Sequence, residues 1–132
     1  MNKNNLNISK IETFINTLID NKISENTFFG ALLNAESIKD EWEDMVMVEI
    51  PNGIRDMDAY GVGVVLVYLY ARPLSSGRKN VAVMTKLEQR LNDVIAANTN
   101  KTYLLNRRMT FTDYDKDINW HCNIVELNIQ IF

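Results

Sequence analysis

The sequence predicts a single α+β domain, an antiparallel sheet of about four to five strands with two helices packed on one face. Three observations carry this expectation. Two segments, Ser9 to Lys22 and Asn80 to Ala97, place apolar residues at helical spacing. Val62 to Tyr70 is apolar at odd and even positions alike, as in a central strand covered on both faces. Two long strand candidates then close the chain on either side of a short polar turn. Each helix has one apolar stripe and the strands have apolar residues to cover, so a common core on one side of the sheet satisfies both.

The elements follow in order. Ser9-Lys10-Ile11-Glu12 has the form of a capping box, in which the Ser9 hydroxyl accepts from the Glu12 amide while the Glu12 carboxylate accepts from the Ser9 amide. Ile11, Phe14, Ile15, Leu18 and Ile19 share one stripe of this helix, which should end near Lys22. Phe28 to Leu33 is short and apolar, and its pattern suits a strand or a helical turn equally. Ala35 to Asp44 carries Glu36, Asp40, Glu41, Glu43 and Asp44 around Trp42 and reads as a solvated acidic connector. Met45 to Ile50 reads as a strand stopped by the turn Pro51-Asn52-Gly53, and Arg55, Asp56 and Asp58 keep the next segment polar.

The β-branched and aromatic run Val62 to Tyr70 is the strongest strand signal, and one of its covers is expected to be another subunit. Arg72-Pro73 and Ser75 to Asn80 form a loop by composition. Val83, Met84, Leu87, Leu91, Val94 and Ile95 mark the second helix, which ends in Asn98-Thr99-Asn100. Tyr103 to Asp113 and Ile118 to Ile131, joined by Tyr114 to Asp117, should pair as an antiparallel hairpin. The last strand changes phase: Ile118, Trp120, Cys122 and Ile124 are apolar first, then Val125, Leu127, Ile129 and Ile131. Either a bulge lies near Ile124-Val125, or the strand buries opposite faces at its two ends.

Composition bounds the function. The 132 residues are 46% hydrophobic and 23% charged, which suits one globular core and not a disordered chain. No run approaches the roughly 18 to 20 apolar residues that span a bilayer, so no membrane is expected. One cysteine cannot close an internal disulfide, and with a single histidine it cannot complete a zinc site; a reducing, cytosolic place of synthesis fits. Charge is uneven along the chain: residues 1–70 hold 5 Lys/Arg against 11 Asp/Glu, and residues 71–132 hold 9 against 6. Such asymmetry suits complementary faces of a head-to-tail assembly.

Motifs for chemistry fail on spacing. Asp113-Tyr114-Asp115-Lys116-Asp117 begins like a calcium loop, but Ile118 stands where glycine is required and Ile124 where a bidentate glutamate is required. It reads as a polar hairpin tip. His121 and Cys122 are strand neighbours and point to opposite faces, with Cys122 in the core and His121 exposed or at an interface. Ser75 to Lys79 lacks the spacing of a phosphate loop, and the carboxylates from Glu36 to Asp58 have no apolar pocket beside them to tune a general acid. The residues pointing to function are Arg72, Arg78, Lys79, Arg107 and Arg108, which gathered at one edge would face a neighbouring subunit or DNA in a pore. No catalytic, cofactor-binding or metal-ligating residue is expected, and the chain is read as a non-enzyme.

The order helix, strands, long strand, helix and terminal hairpin resembles the tail terminator, or tail-completion, family of tailed phages. The helix Ser9 to Lys22, the strand Val62 to Tyr70 running into Ala71-Arg72-Pro73, the helix Val81 to Ala97 and the closing strand Trp120 to Phe132 carry the resemblance, as a pattern of elements and not of signature residues. It implies a tail-terminator-like fold over residues 1–132, with copies arranged in a ring that caps a tail tube or joins it to the head. It also implies no cofactor and no catalysis. The expected partners are further copies of the chain, neighbouring neck, portal or tail proteins, and DNA passing non-specifically through the pore. The expected location is the virion, after synthesis in the host bacterial cytoplasm. The alternatives are another protein-interaction domain of a phage or mobile element and a small ligand-binding or catalytic α+β domain.

Overall fold

A computed structural model of the protein describes residues 1–30 and 35–132. The chain begins with a 3-10 turn, Lys3–Leu6, and helix α1, Ile8–Ile19. Strands β1 (Thr27–Phe29), β2 (Asp44–Glu49), β3 (Ile54–Asp56) and β4 (Gly61–Ala71) follow, then helix α2 (Val81–Ala97) and strands β5 (Tyr103–Asp115) and β6 (Trp120–Ile131). The expected segment Phe28 to Leu33 contributes its first two residues to β1; residues 31–33 lie outside the described residues.

The strands form one six-stranded sheet in the order β1-β2-β4-β6-β5, with β3 also paired to β4. It is mixed, where an antiparallel sheet of four to five strands was expected, because β1 runs parallel to β2. Two short strands account for the difference. β1 and β3 are three residues each, too short for periodicity to reveal. Pro51-Asn52-Gly53 stops β2 as expected, and β3 follows it. β2 and β3 pair in succession along the same edge of β4, and the turn is an excursion between them, with Gly53 at φ 70°.

Both helices lie on one face of the sheet, as the two apolar stripes predict. Ile11, Ile15 and Ile19 of α1 and Met84, Leu87, Leu91 and Val94 of α2 share a buried cluster with Val46 and Val48 of β2, Val65, Val67 and Leu69 of β4, and Val125, Leu127, Ile129 and Ile131 of β6. The helix starts differ in their fidelity. α2 begins as expected, with the Asn80 side chain accepting from the Val83 amide. α1 has no capping box: Asn7 is its cap and accepts from the Ser9 and Lys10 amides, which puts Ser9 inside the first turn. Asparagine caps as well as serine does, so the earlier start wins an extra turn position at no cost.

β6 resolves the phase change. It pairs with β4 without interruption from Gly61 opposite Ile131 to Ala71 opposite His121, so it carries no bulge and buries opposite faces at its two ends. The bulge lies in its other neighbour. β5 shifts register between Arg107 and Met109, leaving Arg108 as the extra residue. The hairpin turn is Lys116 to Asn119, two residues later than expected, so Asp113 and Asp115 sit within β5 and not at its tip.

Candidate interaction surface

The sheet face without helices divides into a sealed end and an open end. At the sealed end Met45, Met47, Tyr70, Ile118, Trp120 and Cys122 are buried, with Phe28, Ile38 and Trp42 packed against them. The acidic connector is therefore not simply solvated, since Trp42 folds down onto the sheet with its ring 6.0 Å from that of Phe28. Arg72 fastens it there. Its Nε donates to the Trp42 carbonyl at 2.7 Å, its Nη2 donates to the Lys39 carbonyl at 3.0 Å, and the guanidinium lies 4.7 Å from the centre of the Trp120 ring.

Burial sets the chemistry of this end. It pushes the Cys122 thiol up to about 12, reinforced by the Asp113 carboxylate, so the sulfur is a poor nucleophile. Tyr68 and Tyr70 are raised above the ordinary phenol value, chiefly by burial; their hydroxyls donate to Glu49 and Asp115. His121 is on the opposite face, its ring 5.0 Å from that of Tyr114 and its Nε2 3.2 Å from the Gly77 carbonyl oxygen. Among the described residues no three His, Cys, Asp or Glu side chains converge as metal ligands.

At the open end the same face is left half covered. Val62, Val64, Leu66 and Tyr68 of β4 are intermediate in exposure although β4 is central. On the far side of β6, β5 exposes Leu104, Met109 and Phe111, at 39%, 53% and 44%. Their partners across the ladder, Gln130, Glu126 and Ile124 of β6, put all three on the helix-free side. A shallow hollow here is lined by Ile54, Arg55, Val62, Val64, Arg108 and Asn128, with two guanidinium groups and no carboxylate.

The five basic residues that would have faced a neighbour had they gathered at one edge are dispersed. Arg72, Arg78 and Lys79 lie near the end of β4 where Ala71 faces His121, while Arg107 pairs with Leu127, itself opposite Val65. That is six residues back, about 20 Å along the strand. Three are committed within the subunit: Arg72 as above, Lys79 to the Asn123 side chain at 2.7 Å, and Arg107 to Glu88, Asn92 and Thr110. Arg78 and Arg108 are exposed, and their side chains have no partner among the described residues.

Sequence reasoning missed Arg55. It sits in an acidic half of the chain, and only the unforeseen strand β3 carries it to the hollow that Arg108 lines. The bulge that leaves Arg108 between register positions likewise has no sequence signature, since the residues around it are neither glycine nor proline. The sequence matches no protein-family model and no curated protein, so its own residues carry the functional reading.

Proposed function

We propose that this chain is a structural, non-enzymatic protein that assembles with copies of itself into a ring at a phage neck or tail, joining head to tail or ending the tail tube. The half-covered sheet supports the self-association: a central strand with half-covered Val62 and Val64 and, beyond β6, an edge strand exposing Met109 and Phe111 present apolar surface that association would remove from water. The phage setting rests on the resemblance in element order. Neighbouring neck, portal or tail proteins would then bound the ring on either side, and DNA would pass through it.

Light scattering of the purified protein tests this. A discrete multiple of 15.2 kDa, with ring-shaped particles in electron micrographs, is the expected result. A monomer at every concentration overturns it. The half-covered face also suits a domain that docks a different protein of the phage or mobile element; such a domain stays monomeric alone and forms a one-to-one complex with that protein.

A further inference from the structure

The hollow at the open end of the helix-free face is lined by Arg55 and Arg108 and by no carboxylate, although Glu126 of β6 stands nearby opposite Met109, whereas a hollow at the opposite end of the same sheet is rich in carboxylates. There Glu25, Glu41, Glu43 and Asp44 line a second hollow with Trp42 and Arg90. Asp44 accepts from the Ser24 hydroxyl and Arg90 donates to the Ile23 carbonyl, so both are engaged. Glu25, Glu41 and Glu43 are exposed, and their carboxylates have no partner among the described residues. The two hollows sit at opposite ends of β4. Arg55 is opposite Val62, and Asp44 is opposite Ala71, nine residues further and therefore about 30 Å along the strand.

We propose that a second copy of this chain covers the open end, its Glu25, Glu41 and Glu43 meeting Arg55 and Arg108 while Val62, Val64, Met109 and Phe111 lose their exposure. The contact rests on the self-assembly reading and gives it a seam. Charge decides the direction. A two-fold contact centred on this hollow would bring the Arg55 and Arg108 of the two copies together, and like charges across an interface are strongly disfavoured. Head-to-tail contact pairs unlike ends, and contacts of that kind close into rings where the rotation between subunits permits.

The edge strand supports the same choice. β5 is a terminal strand of 13 residues, while the other terminal strand, β1, has only three, so the two edges cannot extend one another along their length. Arg108 at the bulge and the carboxylates of Asp113 and Asp115 further guard β5 against open-ended strand addition. Side chains on the face, not the unpaired backbone of the edge, therefore make the contact.

Two charge-reversed variants test it, both altered only at exposed positions. Arg55→Glu with Arg108→Glu makes both ends acidic, and Glu41→Arg with Glu43→Arg makes both ends basic. Sedimentation velocity in about 0.15 M salt is expected to show each variant associating at least about tenfold more weakly than the wild type. Mixed in equal amounts, the two are expected to recover the wild-type oligomer, because every contact in an alternating assembly again joins unlike charges. If the wild type forms oligomers but either variant alone assembles as it does, or the mixture stays dissociated, the seam is wrong and the self-assembly reading stands. A wild type that remains monomeric throughout overturns both.

Discussion

At the scale of single residues, Arg72 and Cys122 make the sealed end testable. Arg72 holds the acidic connector by two hydrogen bonds to backbone carbonyls and by its position over Trp120, and each contact needs the planar fork of a guanidinium. Arg72→Ala is expected to cost about 1.5–3 kcal/mol in urea unfolding, the range for hydrogen bonds from a charged group, and to change the emission of Trp42 and Trp120. Arg72→Lys should recover less than half of that loss. Cys122 should resist iodoacetamide at pH 8 in the native protein and react fully in denaturant. Burial pushes its thiol from the ordinary 9.0 up to about 12, so the unfolded chain releases its proton first. The stability it contributes is complete below pH 9 and falls as pH rises toward 12, by at most about 1.4 kcal/mol per unit. A melting temperature unchanged between pH 8 and pH 11 would contradict the assignment.

At the scale of elements, burial ranks the two helices' contacts. Leu91 is fully buried between α2 and the sheet, whereas Phe14 of α1 is half-buried and stacks on Tyr103 with ring centres 4.9 Å apart. Leu91→Ala should therefore cost about 2–5 kcal/mol and Phe14→Ala clearly less, near 1–2 kcal/mol, as measured by thermal or urea melts. Equal losses would mean that the helix stripes bury to the same depth. Gly63 reports on β3. A Cβ there would lie 2.5 Å from the Ile54 Cδ1 and 3.2 Å from the Gly53 carbonyl oxygen, so Gly63→Val displaces the Ile54 side chain and presses on the β3 turn. A destabilisation of about 1–3 kcal/mol is expected, and with it a displaced Arg55 and weaker self-association.

At the scale of the whole molecule, the sheet has a face covered by two helices and a face covered at one end by its own connector. Under the proposed self-assembly, copies of the chain cover the other end. Association should then rise with protein concentration and weaken with salt, because the Arg55, Arg108 and glutamate charges are screened beyond about 8–10 Å while Val62, Val64, Met109 and Phe111 are indifferent to ionic strength. Phe111→Ser should accordingly weaken assembly at low and high salt alike, and Arg108→Ala chiefly at low salt. Sedimentation across a salt series separates the two; identical salt profiles would argue against a mixed apolar and charged contact.

The sequence by itself determined the α+β class, the two helices, their common side of the sheet and the central place of Val62 to Tyr70, because periodic apolar residues leave each long element one face to bury. It also determined that His121 and Cys122 part company across the sheet, since strand geometry alternates regardless of context. Only the tertiary structure decided the rest. The parallel strand β1 and the continuation strand β3 are three residues each and exist because the edges of β2 and β4 offer them hydrogen-bond partners. The bulge at Arg108 arises in β5, while the phase change that hinted at one is written in β6. Arg55 and Arg108 stand 53 positions apart in the chain and line one hollow; Arg107 and Arg108 are adjacent, yet Arg107 pairs with Leu127 of the helix-side core and Arg108 lines the open face. Charge sums along a sequence record how many such groups there are, but strand pairing sets which of them meet, because it joins residues distant in the chain and sends neighbours to opposite faces.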